Sequence, residues 1–599
     1  GSAGLSGVDA VDLRNWLLCF GAESEALQEE LALMTNLLAN ESPSWASYRA
    51  LMACRLVALD KQPGVRPLGI GEIFRRAMAK CVLAAVGHRA MVACGSLNLC
   101  AGLPAGIEGA VHAMTAEWEK WALDETEWDE TWEPDETGEL DGTPMPAPPN
   151  QQQDPLDNES RQDEPGETGT PTDHDNQLIL SESLLTEDVH VTLMVDANNG
   201  FNELGRKAML WTVRHLWESG ARFSFNCYRH SALLILRRQG QDCYILQSNE
   251  GVTQGDPLSM ILYGLTLVPL ARALRDAVPS VVQPWYADDA AMSGPSKHVG
   301  EAMDLLQQLG PARGYFPEPS KSIVVCHEAR MDQAKANLAK FKFQYCDGHR
   351  YVGGFIGTEE AKAKWLEPKI QTWVYGVEQL ARVARRFPQA AYAGLVKSLQ
   401  SEWQFLQRVL PDNGTAFQPI EKAIREAFLP ILMQSDNVVD RDREFWALPV
   451  RQAGLGIPAP NETTEGNRMT SIECTTLLTQ SLQQGTDLNV AAYLADNKKS
   501  RRNAAVARTM KDETKLESLT SNSDLHYKRL ISRARQTGSW LTVMPDSLNG
   551  TTLSAEEFQD SLRVRYGLVP VGLQPKCDGC YKDFTVTHAL SCKTGGLVI

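Results

Sequence analysis

The stretch QPWYADDAAMSG, from Gln283 to Gly294, places two aspartates side by side within an otherwise apolar run. The residues on either side read as two short strands joined by a tight turn near Tyr286 to Asp289. A buried strand pair does not accept two adjacent carboxylates, because an ionised carboxylate removed from water without a partner is strongly destabilising. The pattern therefore predicts a hairpin whose tip carries Asp288 and Asp289 at the end of a sheet.

A third aspartate follows another strand-like run. In DVHVTLMVDANNGF the residues Val189 to Val195 predict a strand, and Asp196 comes directly after it. Asp196 precedes Asp288 by 92 positions, and each lies at the end of a strand-like run. We therefore expect the two to end neighbouring strands of one sheet. Like charges about 4 Å apart repel by roughly 4 kcal/mol at an effective dielectric constant near 20, so such a cluster needs protons or cations. Carboxylate oxygens suit Mg²⁺, and two such ions would promote nucleotidyl transfer.

The overall charge depends on one segment. The chain has 599 residues and a net charge of -17. Residues 117–188 contain 23 acidic and 2 basic residues, which leaves a net charge of +4 for the rest. The segment is rich in Pro, Gly and Gln, and we predict a disordered insertion over 116–180. It is either a solvated spacer or an acidic tail that competes with nucleic acid for basic surface.

The composition indicates a soluble protein with several cores. Apolar residues make up 43% of the chain, and no run of about 18 apolar residues is present. The 13 cysteines are scattered, apart from one C-terminal cluster, which favours reduced thiols in a nuclear or cytosolic setting.

The remaining patterns predict the elements around the aspartates. The stretch CYILQSNEGVTQGDPLSMILYGLTLVPLARAL predicts a strand, a glycine-rich turn and a long buried helix. KQPGVRPLGIGE predicts a turn or short hairpin, and HRYVGGFIGTEE predicts another hairpin. From about residue 361 onward the pattern is almost wholly helical.

This ordered set of motifs resembles the reverse transcriptases of non-LTR (LINE-type) retrotransposons. Motif A of that family matches VDANNGF, with Asp196 and Phe201. Motif B matches the run QGDPLS that begins at Gln254, and motif C matches the YADD stretch. GYFPEPSKS is similar to motif D with Lys321, and RYVGGFIG to the primer-grip hairpin of motif E. VRPLGIGEIFRRAMAK is similar to the fingers motifs, where the resemblance points to Arg66, Arg76 and Lys80.

The resemblance implies a role for each matched residue. Asp196 and Asp288 would ligate two Mg²⁺ ions, and Asp289 would support the site. Phe201 would lie beneath the incoming sugar and exclude a 2′-hydroxyl, although it also reads as a core aromatic. Three further roles are implied for substrate binding. The backbone at Gln254 and Gly255 would approach the template base and the nucleotide. Arg66 would bind the triphosphate, and Lys321 would neutralise charge on the pyrophosphate. Arg66 and Lys321 also read as ordinary solvated side chains.

A second cluster lies near the C-terminal end. CDGCYKDFTVTHALSC places Cys577, Cys580, His588 and Cys592 at the spacing C-x2-C-x7-H-x3-C. Four such ligands predict a closed structural Zn²⁺ site, with unrelated thiols as the alternative. The run NKKSRRNAAVARTMK predicts a basic helix that binds phosphates or is merely a solvated face.

We therefore expect an α/β (α+β) right-hand polymerase fold with fingers, palm and thumb, a small antiparallel sheet bearing the carboxylates, a helical C-terminal region and a small zinc knuckle. The expected function is RNA-directed DNA polymerase, and the resemblance implies target-primed reverse transcription in the nucleus, with RNA assembly in the cytoplasm. The expected segments are an N-terminal extension with fingers, the acidic insertion, a fingers and palm segment, a thumb, a basic helical linker and the knuckle, at 1–115, 116–180, 181–360, 361–460, 461–565 and 566–599.

The expected partners are an RNA template, a DNA primer or target and deoxynucleoside triphosphates, with no membrane. In the site-specific elements of this family a restriction-like endonuclease follows the knuckle, so nicking would come from a longer form of this protein or from a separate protein. The alternatives are a catalytically inactive or domesticated nucleic-acid-binding protein, a group II intron maturase and an RNA-templated RNA polymerase.

Overall fold

The computed structural model describes residues 2–60, 65–126, 188–237, 242–411 and 414–594. The protein combines helices with three β-sheets, so the mixed helix and sheet class predicted from sequence is confirmed. The strands, in chain order, are β1 (Cys54–Asp60), β2 (Val65–Gly71), β3 (His190–Val195), β4 (Ala232–Leu236), β5 (Tyr244–Ser248), β6 (Trp285–Tyr286), β7 (Asp289–Pro295), β8 (Ile323–Val325), β9 (Gln344–Cys346), β10 (Gly348–Tyr351) and β11 (Gly354–Gly357).

The largest sheet has β3 at its centre, in the strand order β6-β7-β3-β8-β9. Both neighbours of β3 run antiparallel to it. The strands that bear the carboxylates are antiparallel, as predicted, whereas β8 and β9 at the far edge pair in parallel. The connection between them includes a helix, Met331–Asn337, as a parallel crossover requires. β3 is buried along most of its length, which explains its nearly continuous apolar sequence.

A second sheet has the order β2-β1-β4-β5. β1 and β2 are antiparallel partners from Cys54 opposite Gly71 to Asp60 opposite Val65. This pairing confirms the hairpin alternative predicted for KQPGVRPLGIGE, although Lys61 lies outside the described residues. The small third sheet is the predicted hairpin β10–β11.

Helices surround the two larger sheets and form most of the chain after β11, as predicted. The helices before β11 are Ala10–Leu18, Ala22–Asn40, Trp45–Met52, Ile73–Cys94, Gly106–Thr126, Gly200–Glu203, Arg206–Leu216, Glu218–Tyr228, Ser259–Ala277, Ser296–Leu309 and Met331–Asn337. Those after it are Glu359–Ala384, Pro388–Gly394, Gln400–Val409, Gln418–Ala423, Leu429–Met433, Asp440–Ala447, Pro460–Gln483, Val490–Ser521, Leu525–Gln536, Ala555–Arg565 and Val586–Ser591.

The buried side chains form two large apolar clusters. One surrounds the five-stranded sheet and includes the helix Ser259–Ala277, whose residues are buried on nearly all sides. The other joins the helices after β11 to the hairpin β10–β11 and to the helix Gly106–Thr126. The helix Gly106–Thr126 therefore ties an early part of the chain to the C-terminal helices.

The helix Ile73–Cys94 is apolar and long enough to cross a membrane by length and composition alone. Met78, Ala79, Val82 and Ala90 of this helix are buried in the cluster around the five-stranded sheet. These four apolar side chains therefore pack against the rest of the protein.

A helix extends into the segment predicted to be a disordered acidic insertion. The helix Gly106–Thr126 continues through residue 116, where disorder was predicted to start, so that boundary was wrong. Trp118 stacks on His327 and Trp121 on His190, with ring centroids 4.6 and 4.7 Å apart. These aromatic contacts explain why an acidic sequence stays helical here. The rest of the predicted insertion, residues 127–180, lies outside the described residues.

Candidate active site

The register of the central sheet brings the aspartates together. Val195 at the end of β3 lies opposite Ala290 of β7, so Asp196 follows beside Asp289. Tyr286 pairs with Asp289, and Ala287 and Asp288 therefore form a two-residue turn at the tip of the hairpin β6–β7. The strands that carry the three carboxylates are neighbours, as predicted. Their catalytic roles remain a prediction.

The three carboxylates interact electrostatically. Removal from water and the negative charges of Asp288 and Asp196 raise the pKa of Asp289 to about 6, while Arg350 acts in the opposite direction. Asp289 nevertheless stays in contact with solvent. Removal from water is the largest cause of this shift, and the two neighbouring negative charges add to it, so the three carboxylates act on one another within one small region.

Side chains from outside the hairpin hold its turn. Ala287 has a φ of 54°, in the left-handed region that residues with a Cβ seldom adopt. Its N–H donates to Asn98 Oδ1 at 3.2 Å, and its carbonyl accepts from Asn98 Nδ2 at 3.3 Å. The Tyr315 hydroxyl donates to the carbonyl of Asp288 at 3.1 Å. Asn98 and Tyr315 are both buried, so these contacts fix the turn from beneath.

The backbone of Asp196 is fixed by the segment that contains Lys321. The N–H of Asp196 donates to Ser322 Oγ at 3.2 Å, and its carbonyl accepts from the N–H of Glu318 at 2.8 Å. Lys321 is exposed, with Nζ 3.8 Å from Glu318 Oε2. The predicted pyrophosphate-binding lysine thus belongs to a loop bonded to Asp196, and its ammonium group faces solvent.

Phe201 lies next to the carboxylates on the short helix Gly200–Glu203. A Cβ added to Gly200 would be 2.6 Å from the Tyr263 hydroxyl and 3.0 Å from Asp288 Cβ, so only glycine allows this approach. The Phe201 ring stacks on Tyr263, with centroids 4.6 Å apart. The ring is half-buried against the core, and its role beneath the incoming sugar stays a prediction.

Gln254 and Gly255 form a turn between the two sheets. The carbonyl of Gln254 accepts from the N–H of Gly69 in β2 at 3.2 Å. A Cβ on Gly255 would be 3.1 Å from the Gly69 carbonyl, and Gly255 has a φ of 99°. The N–H of Val252 donates to the carbonyl of Phe201 at 2.8 Å. The turn therefore contacts β2 on one side and the residues after Asp196 on the other.

Asp256, the next residue, is a buried anchor for this turn. It forms an ion pair with Arg75 at 2.5 Å and accepts a hydrogen bond from the Tyr228 hydroxyl. Both Arg75 and Asp256 are almost completely shielded from solvent. Removing one member of such a pair leaves a buried charge without compensation, so these residues hold the turn against the helix Ile73–Cys94.

The predicted cationic residues of the fingers motif are more dispersed. Arg66 is exposed on β2, and none of its contacts within the described ranges joins it to the aspartates. Arg76 donates to the carbonyl of Ser2 at 2.7 Å. Lys80 is exposed on the helix Ile73–Cys94. Arg66 lies on β2 together with Gly69, and Gly69 contacts the Gln254 turn. Arg66 is therefore connected to the candidate site through this strand.

The predicted zinc ligands converge. The ligand atoms of Cys577, Cys580, His588 and Cys592 all lie within 4.8 Å of one another. Two sulfur pairs, Cys577 with Cys592 and Cys580 with Cys592, are 3.7 Å apart. Tetrahedral Zn²⁺ with Zn–S bonds of about 2.3 Å requires sulfur atoms about 3.8 Å apart. The cluster therefore could hold a zinc ion.

The predicted basic run lies on the helix Val490–Ser521. Residues 498–511 contain six basic and no acidic side chains, and all six are exposed. The helix is buried near its ends, at Tyr493, Asn497 and Leu516. Its basic middle part is thus presented to solvent on most sides.

Several residues of the site carry no sequence signal of their own. Asn98 occurs in the ordinary stretch GSLNLCAG, and Tyr315 lies within GYFPEPSKS, where only Lys321 suggested a role. Only the fold brings them beneath the hairpin. Gly200 belongs to VDANNGF, the stretch that matches motif A. Its position directly before Phe201 was the signal that could have identified the close approach of this backbone to Asp288.

No protein-family model matches this chain, and no curated protein sequence matches it. Among solved structures it is similar to telomerase from Candida albicans in complex with a fragment of telomeric RNA, with 10% identity, 77% of this chain and 71% of that chain covered, and a TM-score of 0.29. It is similar to apo telomerase from Candida tropicalis, with 10% identity, coverages of 82% and 72%, and a TM-score of 0.34. Similarity at this level carries no argument about fold or reaction, for which the geometry above is the basis.

Proposed function

We propose that this protein is an RNA-directed DNA polymerase with a right-hand arrangement, in which the five-stranded sheet is the palm, the sheet containing β2 belongs to the fingers, and the helices after β11 include the thumb. The observation that carries the proposal is the meeting of Asp196, Asp288 and Asp289 at one end of the central sheet. The Gln254 turn and Phe201 adjoin that end, as a site that binds a template base and a nucleotide requires.

The carboxylates fit a pair of magnesium ions. The register of the sheet brings three carboxylates to one end of it, and oxygen ligands of this kind suit Mg²⁺. Asp196 and Asp288 would hold the ions, and Asp289 would add to the negative potential. When bound, two such ions activate an attacking 3′-hydroxyl and stabilise a leaving pyrophosphate.

The protein's own residues would position the reactants. Gly255 adopts the positive φ that brings this turn close to β2, and its exposed backbone would be available to a base or sugar. Phe201, held by Tyr263, would restrict the space beneath the sugar and favour deoxynucleotides. Arg66 on β2 would bind the triphosphate as a bidentate donor, and Lys321 would offset charge on the pyrophosphate.

We further propose the retrotransposon role, namely target-primed synthesis in the nucleus on RNA, with a DNA primer. The Cys and His cluster supports this finer proposal, because its spacing is that of the knuckle in site-specific non-LTR elements. The exposed basic face of residues 498–511 supports contact with nucleic-acid phosphates beyond the active site.

Primer extension tests the reaction. The purified protein is incubated with a primed RNA template and labelled dTTP, with Mg²⁺ or with a chelator, beside Asp288→Asn. Glu301→Gln, an exposed carboxylate on a neighbouring helix, is the matched control. Product that requires both Mg²⁺ and Asp288 is expected. Tight RNA binding without such product would refute the polymerase proposal and leave the alternative of a nucleic-acid-binding protein.

A further inference from the structure

The turn that carries Asp288 has a backbone conformation that its own sequence does not favour. Hairpin turns of two residues commonly use glycine, asparagine or aspartate where φ is positive. Here Ala287 occupies that place with a φ of 54°. An alanine in the left-handed region is disfavoured by its Cβ, so the turn needs interactions from outside the hairpin to keep it in this form.

Asn98 supplies these interactions. Its amide group pairs with both backbone groups of Ala287, as donor and as acceptor, at 3.3 and 3.2 Å. Asn98 Oδ1 also accepts from the N–H of Cys100 at 3.3 Å, which orients the side chain. Asn98 is 1% exposed, so water does not compete for these bonds.

The segment that carries Asn98 is itself firmly held. The N–H of Leu99 donates to the carbonyl of Trp285 at 2.9 Å, which joins the segment to β6. On the other side a Cβ on Gly264 would be 3.3 Å from Asn98 Oδ1 and 2.8 Å from Cys100 Sγ. The helix Ser259–Ala277 therefore leaves a space that matches the asparagine.

Tyr315 acts on the following peptide group. Its hydroxyl donates to the carbonyl of Asp288 at 3.1 Å, and its ring packs against Trp285 with centroids 5.5 Å apart. Asn98 and Tyr315 together bind the N–H and the carbonyl of Ala287 and the carbonyl of Asp288. The direction of the Asp288 side chain depends on these peptide groups.

We infer that Asn98 is a positioning residue for the Asp288 carboxylate, with Tyr315 as its partner, and that it sets the affinity of the site for divalent cations. The inference rests on the proposed function for its effect on polymerisation, whereas its effect on cation binding does not. Neither residue is expected to touch substrate, because both lie beneath the turn.

The test compares Asn98→Ala with Asn226→Ala. Asn226 is a matched control, a buried asparagine whose amide donates to the carbonyls of Leu38 and Glu41, away from the hairpin. Asn98→Ala is expected to lower kcat by about tenfold to a hundredfold and to raise the Mg²⁺ concentration for half-maximal activity by about tenfold. The KM for dTTP is expected to change little, because the Gln254 turn keeps its contacts.

Adding Ala287→Gly to Asn98→Ala is expected to restore part of the loss, since glycine adopts a positive φ without the Cβ penalty. Tyr315→Phe retains the buried ring and removes only the hydroxyl, so it is expected to fold and, like Asn98→Ala, to raise the Mg²⁺ concentration for half-maximal activity. Activity that falls only with the folded fraction, with unchanged Mg²⁺ dependence in Asn98→Ala and in Tyr315→Phe, would overturn the inference.

Binding of Mn²⁺, measured by electron paramagnetic resonance, separates this inference from the proposed function. Asp288→Asn defines the Mn²⁺ bound at the carboxylates. Product formation with no effect of Asn98→Ala refutes the inference alone. Absence of product, with Asp288-dependent Mn²⁺ binding that Asn98→Ala weakens about tenfold, refutes the polymerase proposal alone. Absence of product together with Mn²⁺ binding that Asn98→Ala leaves unchanged refutes the polymerase proposal and the inference about Asn98.

Discussion

Asp289→Asn is expected to stabilise the metal-free protein, because it removes one of three neighbouring negative charges. Opposite residues of an antiparallel pair are about 5 Å apart, and unit charges at that distance repel by about 3 kcal/mol at an effective dielectric constant of 20 and by about 1 kcal/mol in water. Asp289 is exposed, so the value close to that in water applies. For a chain of 599 residues, with an unfolding entropy of about 2.1 cal/mol/K per residue, a gain of about 1 kcal/mol corresponds to a rise in Tm of about 1 °C.

The gain depends on pH in a defined direction. The pKa of Asp289 is about 6 in the folded protein and 3.8 as its ordinary value, so the folded state holds the proton more tightly than the unfolded state. Ionisation of Asp289 therefore lowers the free energy of unfolding as the pH rises from about 4 to about 6. The stabilisation by Asp289→Asn is expected in full above pH 6 and is expected to vanish near pH 4, where the carboxyl group is protonated and resembles the amide.

The assay is thermal unfolding of both proteins at pH 8 and at pH 4.5 in a chelator, and at pH 8 with Mg²⁺. Magnesium is expected to raise the Tm of the wild-type protein and to reduce or reverse the advantage of the variant, because a ligand of the folded state stabilises it. Glu301→Gln is the control and is expected to show none of these differences. Equal Tm values of wild type and Asp289→Asn at pH 8 in chelator, or an equal gain at both pH values, would refute the reasoning.

Three other substitutions test the remaining roles. Phe201→Ala is expected to reduce discrimination against ribonucleotides on the order of tenfold to a hundredfold, measured as the ratio of kcat/KM for dTTP and UTP, and unchanged discrimination would exclude the steric role. Replacing Arg501 and Arg502 by glutamine is expected to reduce the steepness with which the logarithm of the binding constant for single-stranded RNA falls with the logarithm of the salt concentration, by about 1.4. An unchanged slope would show that these two residues do not contact phosphates. Cys580→Ser is expected to reduce bound zinc from about one ion per chain to near none by atomic emission, whereas the exposed Cys19→Ser should retain it.

The elements and the convergence of the aspartates were predictable because they depend on local patterns. Val189 to Val195 has the nearly continuous apolar sequence of a central strand, and the adjacent aspartates could only be placed where a strand pair ends. The convergence of Cys577, Cys580, His588 and Cys592 was predictable for a similar reason, since all four lie within one short segment whose spacing reflects their geometry.

The supports of the site were not predictable, because they come from distant parts of the chain. Asn98 is separated from Ala287 by 189 positions, and Arg75 from Asp256 by 181. Neither pair leaves a local pattern. The extent of the helix Gly106–Thr126 was missed for another reason, since its acidic composition indicates disorder while the stacking of Trp118 and Trp121 on two histidines stabilises the helix.

The attachment of the acidic segment has a consequence for engineering the protein. The described residues on its two sides end at Thr126 and resume at Asp188, and Trp121 stacks on His190, the first residue of β3. Asp196 lies at the other end of that strand, about 20 Å away at roughly 3.3 Å per residue. We therefore expect that the length and the sequence of the chain between Thr126 and Asp188 can be changed without moving the carboxylates. A fluorescent domain, or a break that divides the polypeptide into two complementing halves, is best introduced there.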